Sequence, residues 1–136
     1  MSRSGYNEDC DYGWGWVMWR GAVASSIRGK RGQAFLREAL AALDALPEKR
    51  LISNDLQAEG SYCTLGAVGK ARGIDMTGID PYDRETVAQT FGVAGALAAE
   101  IMWLNDDEYY WGGETPEDRW TRVRKWIVSQ IIPEGA

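Results

Sequence analysis

The chain has 136 residues with 20 acidic and 15 basic side chains, no histidine and a net charge of −5, a length that removes roughly 68% of the unfolded surface from water without metal or disulfide staples. Its two cysteines, Cys10 and Cys63, are too few for a disulfide framework and suit a reducing cytoplasm. The absence of histidine removes the usual base of a cysteine hydrolase and the commonest nitrogen ligand of zinc, so neither a metal nor another cofactor is expected.

Met1 to Gly15 has no apolar run behind Arg3 and reads as a flexible N-terminal arm, neither signal nor transit peptide, ahead of one helical domain over residues 16–136. From Trp16, the residues Trp19, Val23 and Ile27 recur at three- and four-residue steps and predict a helix, broken by Gly29 and Gly32 in the turn RGKRGQ. In QAFLREALAALDALP, Leu36, Ala39, Leu40, Leu43 and Leu46 form an apolar helical face stopped by Pro47. The two helices make a hairpin whose turn presents Arg28, Lys30 and Arg31.

Leu51, Ile52 and Leu56 stand among Asn, Asp and Gly turn residues, so residues 50–63 admit two readings, a short β-hairpin or an ordered loop. Cys63 to Arg72 reads as a helix closed by Gly73, with Gly66, Ala67 and Gly69 small enough for a neighbouring helix to approach. Asp80 and Pro81 read as the cap and first residue of a helix that ends at Gly92. Leu97, Ile101 and Leu104 mark a fifth helix. Thr115, Pro116 and Asp118 start a last one, whose inner face is Trp120, Val123, Ile127 and Ile131. The fold class is therefore all-α or nearly so, a bundle of about five or six helices. The longest apolar run, Val93 to Leu104, is shorter than the ~20 residues of a membrane span and holds Glu100, so no membrane is expected.

Charge is segregated. Arg20 to Arg37 holds five basic residues and no acid, and Glu100 to Asp118 holds seven acids and no base; each block either recruits a partner or faces the other across the fold. Asp106, Asp107, Glu108, Tyr109, Tyr110 and Trp111 combine acids with the aromatics that dominate binding hot spots and form the first candidate site, for a protein partner. Their carboxylates match no EF-hand spacing, which speaks against a metal. Arg20, Arg28, Lys30, Arg31 and Arg37 form the alternative, a phosphate-contacting surface, although the sequence pI of about 4.8 disfavours nonspecific nucleic-acid binding. Cys63 opens a helix, where a thiolate is favoured, yet cysteine is among the most buried residue types. Packing is the expected role, no catalytic residue is assigned, and a Cys63-dependent hydrolase is the third reading.

The segments CTLGA at Cys63 to Ala67, ND at Asn105 and Asp106, TPEDRW at Thr115 to Trp120, and WRGAVASSIRGKRGQAFLREALAALDALPEKRLI from Trp19 resemble small proteins encoded by phages and prophages. The resemblance covers most of the chain from Trp19 to Ile131 and carries no catalytic residue with it. It implies a small non-enzymatic accessory protein in the cytoplasm of a bacterial host, binding a host protein or ribonucleoprotein complex. An anti-CRISPR-like inhibitor of host defence is the specific expectation, and a nucleic-acid-binding regulator using the basic hairpin the alternative.

Overall fold

The structure, a computed structural model, describes residues 3–4, 13–106 and 113–133. Within them the chain forms six helices and one two-stranded sheet: α1 (Gly13–Arg28), α2 (Lys30–Ala45), β1 (Gln57–Ala58), β2 (Ser61–Tyr62), α3 (Thr64–Arg72), α4 (Arg84–Phe91), α5 (Gly95–Asp106) and α6 (Pro116–Gln130). This is the nearly all-α bundle that the periodicity predicts. No single helix among the described residues is long and apolar enough to cross a membrane.

The centre of the bundle is α5, where every residue from Ala96 to Asp106 except Trp103 is buried. It packs against α1, α3, α4 and α6, which leaves it no solvent face and accounts for a sequence apolar all round rather than on one side. Helix α2 buries Phe35, Leu36, Ala39, Ala42 and Leu43 against α1, α3 and α6. Leu51 and Leu56 from the loop after α2, with Leu97, Ile101, Leu104 and Ile127, complete one continuous core.

Helices α1 and α2 are separated by Gly29 alone, and Gly32 lies inside α2 rather than in the turn. A Cβ on Gly32 would fall 1.7 Å from the Ser26 carbonyl oxygen, so the two helices touch backbone to backbone where they meet. The β-hairpin reading of residues 50–63 holds in reduced form: Gln57 pairs Tyr62 and Ala58 pairs Ser61. Between the strands Glu59 and Gly60 both have positive φ, 52° and 78°, as a two-residue type I′ turn requires.

Caps set the ends of three helices. The Cys63 sulfur accepts the Gly66 N–H, and Gly73 closes α3 at φ 72°; Thr115 accepts the Asp118 N–H with Pro116 following, as expected. Helix α4 begins later than the Asp80–Pro81 pair suggests. Asp80 instead closes a turn, accepting the Tyr82 N–H at 2.9 Å, and Asp83 is the cap, taking the Thr86 N–H at 3.2 Å and the Thr86 hydroxyl at 2.7 Å. Two aspartates three residues apart compete for one helix start, and the second has the threonine to hold it.

The N-terminal arm departs from expectation at both of its described parts. Arg3 and Ser4 are buried, and α1 already begins at Gly13.

Candidate functional site

The motifs of the sequence converge on one place, the irregular loop 51–56. Leu51 and Leu56 at its ends are buried and the stretch between them lies outside the two-residue strands, so most of its polar groups need partners from elsewhere. Side chains of the motifs supply them. Arg119 donates to the Leu51 carbonyl at 3.1 Å, Asn105 to the Ile52 carbonyl at 2.8 Å and Arg3 to the Asp55 carbonyl at 3.4 Å. Asp106 accepts the Asn54 N–H at 3.0 Å, and the Leu56 carbonyl accepts the Cys63 N–H at 3.2 Å. The Asn105 side-chain oxygen also takes both the N–H and the hydroxyl of Thr64, at 3.0 and 2.8 Å, tying the end of α5 to the start of α3.

At the centre of this cluster the Arg3 guanidinium grips the Asp106 carboxylate through Nε at 2.5 Å and Nη2 at 3.0 Å, with side-chain exposures of 0% and 1%. Burial disfavours the charged guanidinium, but the adjoining Cys63 sulfur and Asp106 carboxylate outweigh it and hold the Arg3 pKa above the ordinary arginine value. Asp106 is thus a member of the interior. It is withdrawn from the partner-binding group in which the acid run places it. Asp107, Glu108, Tyr109, Tyr110 and Trp111 lie outside the described residues.

Cys63 is fully buried, with its sulfur 3.3 Å from the Gly66 nitrogen and 3.6 Å from Arg3 Nη1. Helix α3 packs on α2 and α5, but what stands closest to its two inner glycines is not a helix: Gly66 faces the Leu56 carbonyl and Gly69 faces the Met76 side chain. In a Cys10→Ser background, we expect Cys63 to be alkylated only as fast as the native state opens. Cys63→Ala should cost about 1–2 kcal/mol by denaturant titration, for a lost cap and a small void. Among the described residues no three His, Cys, Asp or Glu groups stand close enough to hold a metal ion.

Outside this cluster nearly every arginine is bound to a fixed acceptor. Arg20 forms a two-pronged pair with the buried Glu100 at 2.7 and 2.9 Å, so the basic and acidic blocks do meet across the fold at that point. Arg72 pairs Glu38, Arg124 pairs Asp44, Arg122 pairs Glu114 and Arg50 pairs Glu48. Arg37 is spent on the Ile132 carbonyl at 2.5 Å.

These pairs carry a pH signature. Hydrogen bonds from Arg72, Arg124 and Arg122 hold the carboxyls of Glu38, Asp44 and Glu114 below their ordinary values of 4.5, 3.8 and 4.5. A depressed folded pKa means that the unfolded chain takes up protons first, so the contribution is complete above the ordinary values and lost as pH falls through the folded ones. Urea midpoints are expected to be flat from pH 7 to 5 and to fall below about pH 4.5, with a shallower fall in Glu114→Gln.

Against this background three cations stand out. Arg28, Lys30 and Arg31 are exposed, and among the described residues none of them has an ion-pair or hydrogen-bond partner. They crowd the one-residue break between α1 and α2, beside an open cleft of about 340 Å³ whose lining includes Ser25, Ser26, Lys30, Arg31, Ala94 and Leu97. Gly29 gives α2 no side-chain cap. Of the five basic residues picked out by the charge pattern, the fold gathers these three and diverts Arg20 and Arg37. The diversion of Arg20 has a signal in retrospect, since Glu100 is the one charge within the longest apolar run and a buried acid needs a cation.

Comparison with protein-family models, with curated proteins and with solved structures finds no match.

Proposed function

We propose that this chain is a non-enzymatic binding protein, an accessory protein of a phage or prophage that docks on a host macromolecular complex, and that the cationic turn Arg28, Lys30 and Arg31 is its contact surface. One observation supports this reading above the others: these three charges are adjacent, exposed and without a partner among the described residues, where the other arginines are committed to internal partners. An unpaired cationic cluster steers an anionic partner and adds charge-assisted contacts on docking. Host-defence complexes that handle nucleic acid carry such anionic surfaces, which keeps an anti-CRISPR-like inhibitor within this proposal. The test is capture from host lysate by wild type and by Arg28→Glu/Arg31→Glu, whose exposed sites should leave stability within about 0.5 kcal/mol of wild type. Loss of the captured complex in the variant is the expected result; equal recovery would sink the assignment.

The uncapped first turn of α2 favours a second reading, direct binding of nucleic-acid phosphate by the same turn. A gel-shift series in salt separates the two, because phosphate contacts release counterions and weaken steeply as salt rises. No shift at low salt would remove the nucleic-acid reading and leave the protein-docking one standing.

A further inference from the structure

The solvent face of α1 has a composition that the fold itself does not explain. Val17, Met18, Gly21, Ala22, Ser25 and Arg28 are all exposed, and at 3.6 residues per turn they share an arc of about 140°. Val17 is 57% and Met18 71% exposed, on a helix whose opposite side buries Val23 and Ile27. This face therefore carries no charge until it reaches Arg28.

Gly21 is the telling residue. Glycine within a helix is unfavourable relative to alanine, and the other glycines well inside described helices have a reason on their own side. A Cβ on Gly32 or Gly66 would strike backbone at 1.7 or 1.8 Å, and one on Gly69 would strike Met76 at 2.4 Å. A Cβ on Gly21 would meet nothing within 4 Å. Among the described residues nothing makes use of its smoothness, which suits the close approach of a second helix from outside, flanked by the Val17 and Met18 side chains.

We infer that the exposed face of α1, running into the cationic turn, is a docking strip for an amphipathic helix of a partner protein that carries an apolar ridge and an acidic end. The ridge lies over Val17, Met18, Gly21 and Ala22, and the acids meet Arg28, Lys30 and Arg31. Charge complementarity decides the occupant: the apolar face runs directly into Arg28, Lys30 and Arg31, which are exposed and have no partner among the described residues, so a cationic or purely apolar helix would leave them unmatched. This inference rests on the assignment of the turn as a contact surface and names the partner that the surface fits.

The test is fluorescence anisotropy with three labelled helical peptides of about 20 residues. One has a leucine ridge and a glutamate end, one the same ridge with a lysine end, and one the glutamate end with serines in the ridge. The first is expected to bind at least about tenfold more tightly than the others. Gly21→Gln should weaken it at least about tenfold while the thermal midpoint holds or rises, a combination that a merely structural glycine would not give. Arg28→Glu/Arg31→Glu should turn the preference toward the lysine peptide. Equal binding of all three peptides, binding of none, or an affinity indifferent to Gly21→Gln overturns the inference. So does a dimer in sedimentation velocity that Gly21→Gln abolishes, since a second copy would then own the face. If the charge reversal loses the host complex while Gly21→Gln retains it, the docking strip falls and the cationic turn stands; if neither variant loses it, both fall.

Discussion

Arg3→Met is expected to lower stability by about 3–5 kcal/mol, the range found when one member of a buried ion pair is removed and the other is left behind. The side chains of Arg3 and Asp106 have 0% and 1% exposure, so water does not reach the abandoned carboxylate. Among the described residues two donors remain to it, the Asn54 N–H and the Asn105 side chain, and both go to Oδ1, while Oδ2 loses the donor it has there. The methionine stem fills much of the space, which keeps the loss from growing by a cavity term. Asp106→Asn should cost a similar amount, since it removes the charge that the interior guanidinium faces and turns an amide N–H2 donor toward an arginine donor, leaving one amide oxygen beside the Asp55 carbonyl and the Cys63 sulfur. In a cycle with Arg3→Met/Asp106→Leu, a coupling of about 2 kcal/mol is expected. The double variant should fall short of wild type, because the Asn54 N–H then loses its acceptor and Asn105 keeps only the Ile52 carbonyl among the described residues. An Arg3→Met midpoint indistinguishable from wild type in urea would show that the pair does not hold the loop.

The elements legible in the sequence are those whose causes are local. Helices α2, α3 and α6 follow from an apolar period and from caps within three residues of the start, Cys63 and Thr115, and the fold class follows from their number. The cationic turn was equally visible, because Gly29 and its neighbours need no distant residue to remain exposed. What could not be read is held by partners far along the chain. Loop 51–56 looked like turn residues with a few leucines because its order comes from Arg3, Asn105 and Arg119, which lie 52, 53 and 68 residues from the groups they bind. Arg3 looked like part of a solvated arm, and Asp106 like part of an acidic run. Each is buried only because the other is there, 103 residues away. Asn105 and Arg119 lie in the resemblance motifs, whose sequence gives no sign that their task is to satisfy the carbonyls of a loop more than fifty residues away.

Gly66→Ala is expected to cost about 3 kcal/mol or more, although alanine is the better helix former by about 1 kcal/mol. Its Cβ would stand 1.8 Å from the Leu56 carbonyl oxygen and 2.8 Å from the carbonyl carbon, and backbone cannot rotate aside as a side chain can. The Leu56 carbonyl is also the acceptor of the Cys63 N–H, so moving it strips the start of α3 of a bond and drags the loop that Arg3, Asn105 and Asp106 hold in place. Gly69→Ala, three residues on in the same helix, meets the Met76 sulfur at 2.4 Å and its methyl at 3.1 Å. That side chain is unbranched and can adopt another rotamer. Its loss should therefore be small, about 1 kcal/mol, with the helix-forming gain set against the repacking. Gly21→Ala meets nothing and should raise stability by about 0.5–1 kcal/mol. One substitution at three helical glycines is thus predicted to give a large loss, a small loss and a gain, in the order set by whether the new methyl meets backbone, a flexible side chain or open space. Thermal midpoints of the three variants in that order support the close contact between α3 and loop 51–56; a Gly66→Ala variant as stable as wild type would mean that loop and helix stand further apart than the structure places them.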